Sequence, residues 1–172
     1  GPQDWLSAGL KALAQDGPAA LKAEPLARRL RTTKGSFYWH FADVPAFHAA
    51  LLAAWEDREA DTMREALAEE STAVGRLRRL GQMIAAGEGS DIEPSVRAWA
   101  TGNAMARAAV GRVDSLRLDK LRTLLSETGI GNPEMARIIY AAGIGMEALP
   151  QSAPGENARA IGSLVDLVLA LR

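Results

Sequence analysis

The side chains best suited to chemistry lie together between Thr32 and Phe41. This stretch holds two of the chain's three Phe residues, one of its two His and one of its two Tyr. Ammonium, hydroxyl and indole groups can contact the phosphates of a nucleic acid or the edges of its bases. We therefore interpret the stretch as a nucleic-acid contact made by these residues: Lys34, Gly35, Ser36, Tyr38 and Trp39.

A buried aromatic cluster is the alternative interpretation of the same stretch. Phe37 and Phe41 are four residues apart, so on a helix they share one face and should pack inward. Gly35 inside a helix costs about 1 kcal/mol relative to Ala. Either a close approach to another backbone, such as that of DNA, or a packing notch within the chain would explain this glycine.

The hydrophobic pattern predicts an all-α protein of about nine helices. Apolar residues recur at spacings of three and four, and strict alternation of apolar and polar residues is missing. The predicted helices cover residues 4–16, 23–30, 33–40, 43–70, 73–86, 92–101, 103–128, 133–149 and 156–171.

A helix-turn-helix is predicted where the second and third helices are joined by the three residues Arg31 to Thr33. Residues 22–41 carry five basic side chains and one acidic side chain, whereas residues 46–172 carry 14 basic and 17 acidic ones. A basic segment on an acidic body is typical of a DNA-binding protein, although a solvated charged helix gives the same local charge.

The composition argues against several other classes of function. The chain has no Cys, which removes disulfides and thiolate chemistry and fits a cytoplasmic location. His40 and His48 are the only histidines, and their spacing gives no zinc-binding pattern. No nucleophile and base can be paired, and no apolar run reaches about 18 residues. We therefore expect no enzyme activity, no catalytic residue, no metal, no cofactor and no membrane partner.

The last two predicted helices are more apolar than a single buried face requires. Such helices could pair with those of a second copy in a four-helix bundle, or both could be buried within one chain. We favour a homodimer whose interface includes these residues of the two helices: Ile138, Ala142, Met146, Ile161, Leu164, Val165 and Val168.

Two motifs carry a resemblance to a known family. The segments Leu26-Ala27-Arg28-Arg29-Leu30 and Lys34-Gly35-Ser36-Phe37-Tyr38-Trp39-His40-Phe41 resemble the N-terminal domain of the TetR family of transcriptional repressors. The resemblance covers about residues 4–55. Two weaker signals, Arg97-Ala98-Trp99 and Val113-Asp114 with Arg117-Leu118, are similar to a common branch of the same family.

The resemblance implies an all-α homodimer. A helix-turn-helix domain over residues 1–45 would bind an operator, and a helical domain over residues 46–172 would bind an effector and dimerise. By position in the motif, Lys34, Gly35 and Ser36 would face bases. The residues that would face mostly phosphates are Thr33, Tyr38, Trp39 and His40, and Phe37 and Phe41 would be core.

Three positions depart from the family's pattern. Lys22 stands where the family usually has the Thr that caps the second helix, and Val44 stands where it often has a Lys that contacts phosphate. Arg31 occupies the turn position that is usually Gly. If Arg31 must adopt a positive φ it carries strain of about 1 kcal/mol, and it adds a charge to the expected DNA contact.

We expect a ligand-responsive homodimeric repressor whose partners are a double-stranded DNA operator and an unidentified small-molecule effector. The candidate pocket residues are mostly apolar, with one amide and one phenol to orient a mainly hydrophobic ligand, although each could instead be core. They are Trp55, Met83, Trp99, Asn103, Met105 and Tyr140. Two alternatives stay open: a helical ligand-binding or interaction protein whose DNA-binding head is degenerate, and a small helical enzyme.

Overall fold

The computed structural model describes residues 1–86 and 92–172, and within these ranges all regular secondary structure is helical. The predicted all-α fold is therefore confirmed. The helices are α1 (Pro2–Asp16), α2 (Ala23–Arg29), α3 (Lys34–His40), α4 (Val44–Ala68), α5 (Ala73–Ala86), α6 (Glu93–Ala100), α7 (Ala104–Glu127), α8 (Glu134–Glu147) and α9 (Glu156–Leu169), with a 3₁₀ turn at Pro18–Ala20.

Side-chain caps fix several of the helix starts. The carboxylate of Asp43 accepts a hydrogen bond of 2.7 Å from the backbone N–H of Ala46, so Asp43 begins α4 as predicted. The Asn132 side chain accepts a hydrogen bond of 3.0 Å from the N–H of Glu134. The helix α8 begins at Glu134 with Pro133 as its N-cap, so it starts one position later than predicted.

The chain divides into two compact units, Gly1–Glu59 with Ser90–Arg112 and Ala60–Gly89 with Val113–Arg172. Both α4 and α7 are continuous helices that contribute residues to each unit. This is a division by packing. The functional boundary expected between residues 45 and 46 stays a prediction.

The core of the first unit is built around Phe37, which is fully buried. Its ring centroid lies 5.4 Å from that of Trp5 and 5.3 Å from those of Phe41 and Phe47. These aromatic contacts join α1, α3 and α4, so the position of α3 depends on one cluster of rings.

Gly9 allows α1 to lie close against α4. A Cβ atom added at Gly9 would be 2.7 Å from Cζ of Phe47 and 2.9 Å from Cδ1 of Leu51, which is closer than real Cβ contacts. A second brace within this unit joins α4 to the start of α7, where the Arg112 guanidinium donates two hydrogen bonds of 2.8 Å to the Glu56 carboxylate.

The core of the second unit is formed by α5, α8 and α9 together with the parts of α4 and α7 that belong to this unit. Gly143 on α8 provides the close approach to α5, because a Cβ there would be 2.8 Å from Cγ2 of Ile84. Leu77 and Leu80 of α5 are fully buried in this core.

Part of the expected dimer surface requires a correction. Ile161, Val165 and Val168 are buried in the second unit's own core, so their side chains are not available to a second copy. Their face of α9 packs on α5, where Ile161 and Val165 lie next to Gly81. The expected interface residues that keep an accessible surface are Ile138, which is 47% exposed, and the half-buried Ala142, Met146 and Leu164.

Candidate nucleic-acid interface

The turn between α2 and α3 is a Schellman motif. The N–H of Thr32 bonds to the carbonyl of Ala27 at 3.0 Å, and the N–H of Arg31 bonds to the carbonyl of Arg28 at 3.2 Å. This motif needs a left-handed residue directly after the helix cap, a position that favours glycine. Arg31 fills it with a φ of 52°, and it is the one non-glycine residue with a positive φ in the described ranges.

Replacing Arg31 separates the strain at this position from its charge. Arg31→Gly removes both, whereas Arg31→Ala removes the charge and keeps the Cβ atom that opposes a positive φ. We expect the Gly variant to be about 1 kcal/mol more stable than the Ala variant in chemical denaturation. Equal midpoints for the two variants would show that the turn carries no strain.

The helix α3 has a buried face and an exposed face. Phe37 and Phe41 are buried, whereas Trp39 is 88% exposed and Tyr38 is 48% exposed. The other expected contact residues lie in the same short segment, and all are exposed except the half-buried Ser36: Arg31, Thr33, Lys34, Gly35, Ser36 and His40. The two faces predicted for this helix are confirmed, and the roles of the exposed residues toward DNA stay a prediction.

Thr33 holds the first turn of α3 in place. Its hydroxyl oxygen accepts a hydrogen bond of 3.3 Å from the N–H of Ser36, so Thr33 is the N-cap. The cap fixes the end of the helix at which Lys34, Gly35 and Ser36 lie, so these three residues are presented by an ordered turn.

Gly35 is not required by packing within the chain. An added Cβ atom would meet nothing closer than the Thr33 hydroxyl at 3.8 Å. The packing-notch interpretation of this glycine is therefore wrong. A close approach from outside the chain is the remaining reason for a residue that costs about 1 kcal/mol in a helix.

A basic groove of about 480 Å³ lies beside the exposed face of α3. Its lining includes three cations and a phenol, namely Lys22, Arg28, Lys34 and Tyr38, against one acidic residue, Glu24. Val44 lines the same groove as Lys22. Lys22 and Arg28 were not among the expected contact residues, although the excess of positive charge over residues 22–41 was a signal for them.

Arg29 has a different role from its neighbour Arg28. Its guanidinium forms an ion pair with Asp16 and donates a hydrogen bond of 3.0 Å to the side-chain oxygen of Gln15. These contacts tie α2 to α1. Within the basic segment, Arg29 therefore braces the helices, whereas Arg28 lines the groove.

The six expected effector-pocket residues are divided between the two units. Trp55, Trp99, Asn103 and Met105 belong to the first unit, whereas Met83 and Tyr140 belong to the second. Trp55 is fully buried and its indole N–H has no hydrogen-bond partner among the described residues. The Trp99 ring packs edge-on against His48 at 5.1 Å.

The remaining four differ in their surroundings. The Asn103 side chain caps α7 through a hydrogen bond of 2.9 Å from the N–H of Ala106. Met105 is exposed, and Met83 is buried in the core of the second unit. A pocket formed by these residues stays a prediction.

Tyr140 lies in a buried polar cluster of the second unit. Its hydroxyl donates a hydrogen bond of 2.5 Å to Oδ1 of Asp114 and accepts one of 3.4 Å from the guanidinium of Arg117. Burial raises the pKa of Tyr140 to about 12, and the bond to Asp114 acts in the same direction. The phenol therefore keeps its proton to a higher pH than an ordinary tyrosine does.

The described ranges contain no cluster of three or more His, Asp or Glu side chains that could hold a metal ion. Among the helices of these ranges, none has the length and apolar character that crossing a bilayer requires.

Comparison with known proteins adds to this geometry. The family model described as bacterial regulatory proteins, tetR family, matches residues 6–43, which include α1 from Leu6 onward, α2 and α3. No curated protein has a significantly similar sequence.

Solved structures of similar fold cover nearly the whole chain. A Rhodococcus protein assigned to the TetR family is 18% identical with a TM-score of 0.80, and the match covers 98% of both chains. A TetR-family transcriptional regulator from Streptomyces coelicolor is 16% identical with a TM-score of 0.76, over 98% of this chain and 87% of that one. A Saccharomonospora viridis protein solved in complex with choline is 14% identical with a TM-score of 0.71, and the match covers 98% of this chain and 95% of that one.

At these low identities the solved structures show similarity of fold alone. Similarity of sequence comes from the family model, which matches residues 6–43. The model falls on the segment that forms the helix-turn-helix with its exposed α3 face. A regulator is therefore favoured over a small helical enzyme. Residues 6–43 match the tetR family of bacterial regulatory proteins, and the fold of the whole chain is that of solved proteins assigned to this family.

Proposed function

We propose that this chain is a homodimeric, ligand-responsive repressor, in which each copy binds half of a double-stranded DNA operator. The division of α3 into a buried Phe face and an exposed face of Lys34, Tyr38 and Trp39 carries this proposal. A recognition helix needs such a division, because one face must anchor it while the other enters the major groove.

The basic groove beside α3 supports a contact with the DNA backbone. Lys22, Arg28 and Lys34 line it together with the Tyr38 hydroxyl. Phosphate contacts of this kind position a protein on the duplex and supply much of its affinity. Lys22 therefore supplies a positive charge to the same groove in which Val44, at a position where the family often has Lys, supplies none.

A second copy would pair through α8 and α9. Besides Ile138, three large apolar side chains of this end of the chain are exposed: Leu149, Leu167 and Leu171. Where such side chains adjoin one another, they form the kind of apolar patch that marks interfaces between proteins. A twofold dimer would present two copies of α3 to successive major grooves, about 34–36 Å apart.

An effector would act by binding one arrangement of the dimer more tightly than the other. The S. viridis protein of the same fold was solved with choline, which supports small-molecule binding by this fold.

We assign DNA binding to residues 1–45 and effector binding and dimerisation to residues 46–172. As one helix of 25 residues, about 37 Å long, α4 could transmit a displacement between them. Because its target is chromosomal DNA, the protein would act in the cytoplasm.

Binding of the full chain to DNA from upstream of its own gene tests the proposal. With about 6–10 phosphates contacted by a dimer, the affinity should fall by about 10³-fold or more between 50 and 200 mM salt. Fluorescence anisotropy measures this directly, with unrelated DNA of equal length as the control. An affinity that barely changes with salt, or no preference for the upstream DNA, would contradict a specific operator contact.

A further inference from the structure

A second groove, of about 580 Å³, lies within the second unit. It is bounded by the C-terminal part of α4, the first turn of α5 and the C-terminal half of α7. Met63, Leu67 and Leu124 form a buried apolar floor, and Leu116 lies at the rim with 42% of its surface exposed. The volume is in the range of small-molecule sites, about 300–1,000 Å³. None of the six expected pocket residues lines this groove.

Five charged side chains line the groove around the apolar floor, and ion pairs neutralise two of them. The Arg64 guanidinium is 2.6 Å from the Asp61 carboxylate. The Asp119 carboxylate is 2.9 Å from the Arg122 guanidinium. The three charged residues that remain are Arg76, Lys120 and Glu127.

Arg76 and Lys120 give the groove an excess of positive charge. Both are half-buried, and neither has an acidic partner within ion-pair distance in residues 1–86 and 92–172. Glu127 offsets one of them, so the three unpaired groups sum to a single positive charge. Partial burial reduces the screening of these cations by water, which strengthens their attraction for an anion in the groove.

We propose that this groove binds an amphipathic small molecule with an apolar body and one anionic head group of the carboxylate type. The apolar body covers the floor formed by Met63, Leu67 and Leu124. The head group pairs with Arg76, whose planar guanidinium can donate two parallel hydrogen bonds to a carboxylate, and with Lys120. As an effector site the groove rests on the proposed regulatory function, whereas its ligand chemistry rests on its own lining.

A second copy of the chain fits this groove less well than a small molecule does. The cores of protein interfaces are depleted in charged residues, and the lining of the groove includes five of them. The large apolar side chains that the second unit exposes elsewhere, Ile138, Leu149, Leu167 and Leu171, lie on or near α8 and α9.

Calorimetric titration of the full chain without DNA tests the charge preference. Decanoate, decanol and decyltrimethylammonium share one alkyl length and differ in the charge of the head group. We expect decanoate to bind at least about 10-fold more tightly than decyltrimethylammonium, with decanol between them, because a hydrogen-bonded ion pair is worth about a factor of ten. Equal affinities for the three would overturn the proposal.

Substitutions then assign the binding to the groove. Arg76→Ala and Lys120→Ala should each weaken decanoate about 10-fold and leave decanol unchanged. Arg137→Ala is the matched control, because Arg137 is an exposed cation of α8 that does not line the groove. Unchanged decanoate binding in both groove variants would overturn the proposal. A change in the oligomeric state of either groove variant, measured by sedimentation, would also overturn it, because the groove would then be a contact between two copies.

The failure of this inference can be distinguished from that of the proposed function. DNA binding by the decanoate-free protein tests the regulator, and calorimetry without DNA tests the groove. If decanoate binds and shifts the affinity for upstream DNA in the wild type but not in Arg76→Ala, the groove is an effector site. If it binds with no such shift, the effector role is overturned.

Discussion

Replacing Phe37 by Ala is expected to lower the free energy of unfolding of the first unit by about 3–5 kcal/mol. The ring is fully buried and contacts the rings of Trp5, Phe41 and Phe47. Its removal leaves a cavity, and it deprives α3 of its main anchor. Guanidinium unfolding followed by circular dichroism measures the loss.

Trp39→Ala is the matched control for this substitution. Trp39 is a large aromatic residue of the same helix, but 88% of its surface is exposed. Its removal should change stability by no more than about 0.5 kcal/mol, as is usual for surface positions. A Phe37→Ala protein as stable as Trp39→Ala would show that α3 is held by something other than the aromatic cluster.

The double substitution Lys34→Ala with Tyr38→Phe is expected to weaken operator binding by about 100-fold or more. Both residues line the basic groove, and each lost contact to DNA is worth about 1–3 kcal/mol. In a dimer every substitution is present twice, so the losses accumulate. Anisotropy at a fixed salt concentration measures the change.

Stability and assembly should be unaffected by the double substitution, because both side chains are exposed and neither is in the core. Circular dichroism and sedimentation provide that check. Arg107→Ala, which removes an exposed cation of α7 in the same unit, should leave the affinity nearly unchanged. If the double variant binds as the wild type does, the exposed face of α3 is not the DNA contact.

The helix-turn-helix could be predicted because its signals are local. Phe37 and Phe41 are one helical turn apart, which is enough to define the inward face of α3. The positive φ of Arg31 also follows from a local motif, the turn that ends α2. Each of these features involves residues within a few positions of one another, although the positive φ of Arg31 was expected only through the resemblance to the family.

The second unit could not be predicted in the same way. Apolar side chains on long helices have the same spacing whether they face a core, a groove or a second copy. Val165 is core rather than interface because α9 packs on α5, a helix far from it in sequence. Arg76 and Lys120 come together only through the packing of α5 and α7 with α4, and nothing in their sequence neighbourhoods relates one to the other.

The open space beside Gly35 means that selection for a stable fold and selection for the proposed DNA contact favour different residues at one position. The free chain has room for alanine there, and alanine is the better helix former by about 1 kcal/mol. Evolution toward heat resistance alone would therefore be expected to replace this glycine early. A lineage that keeps this glycine retains a less stable helix, and the proposed close contact of α3 with DNA would be the reason.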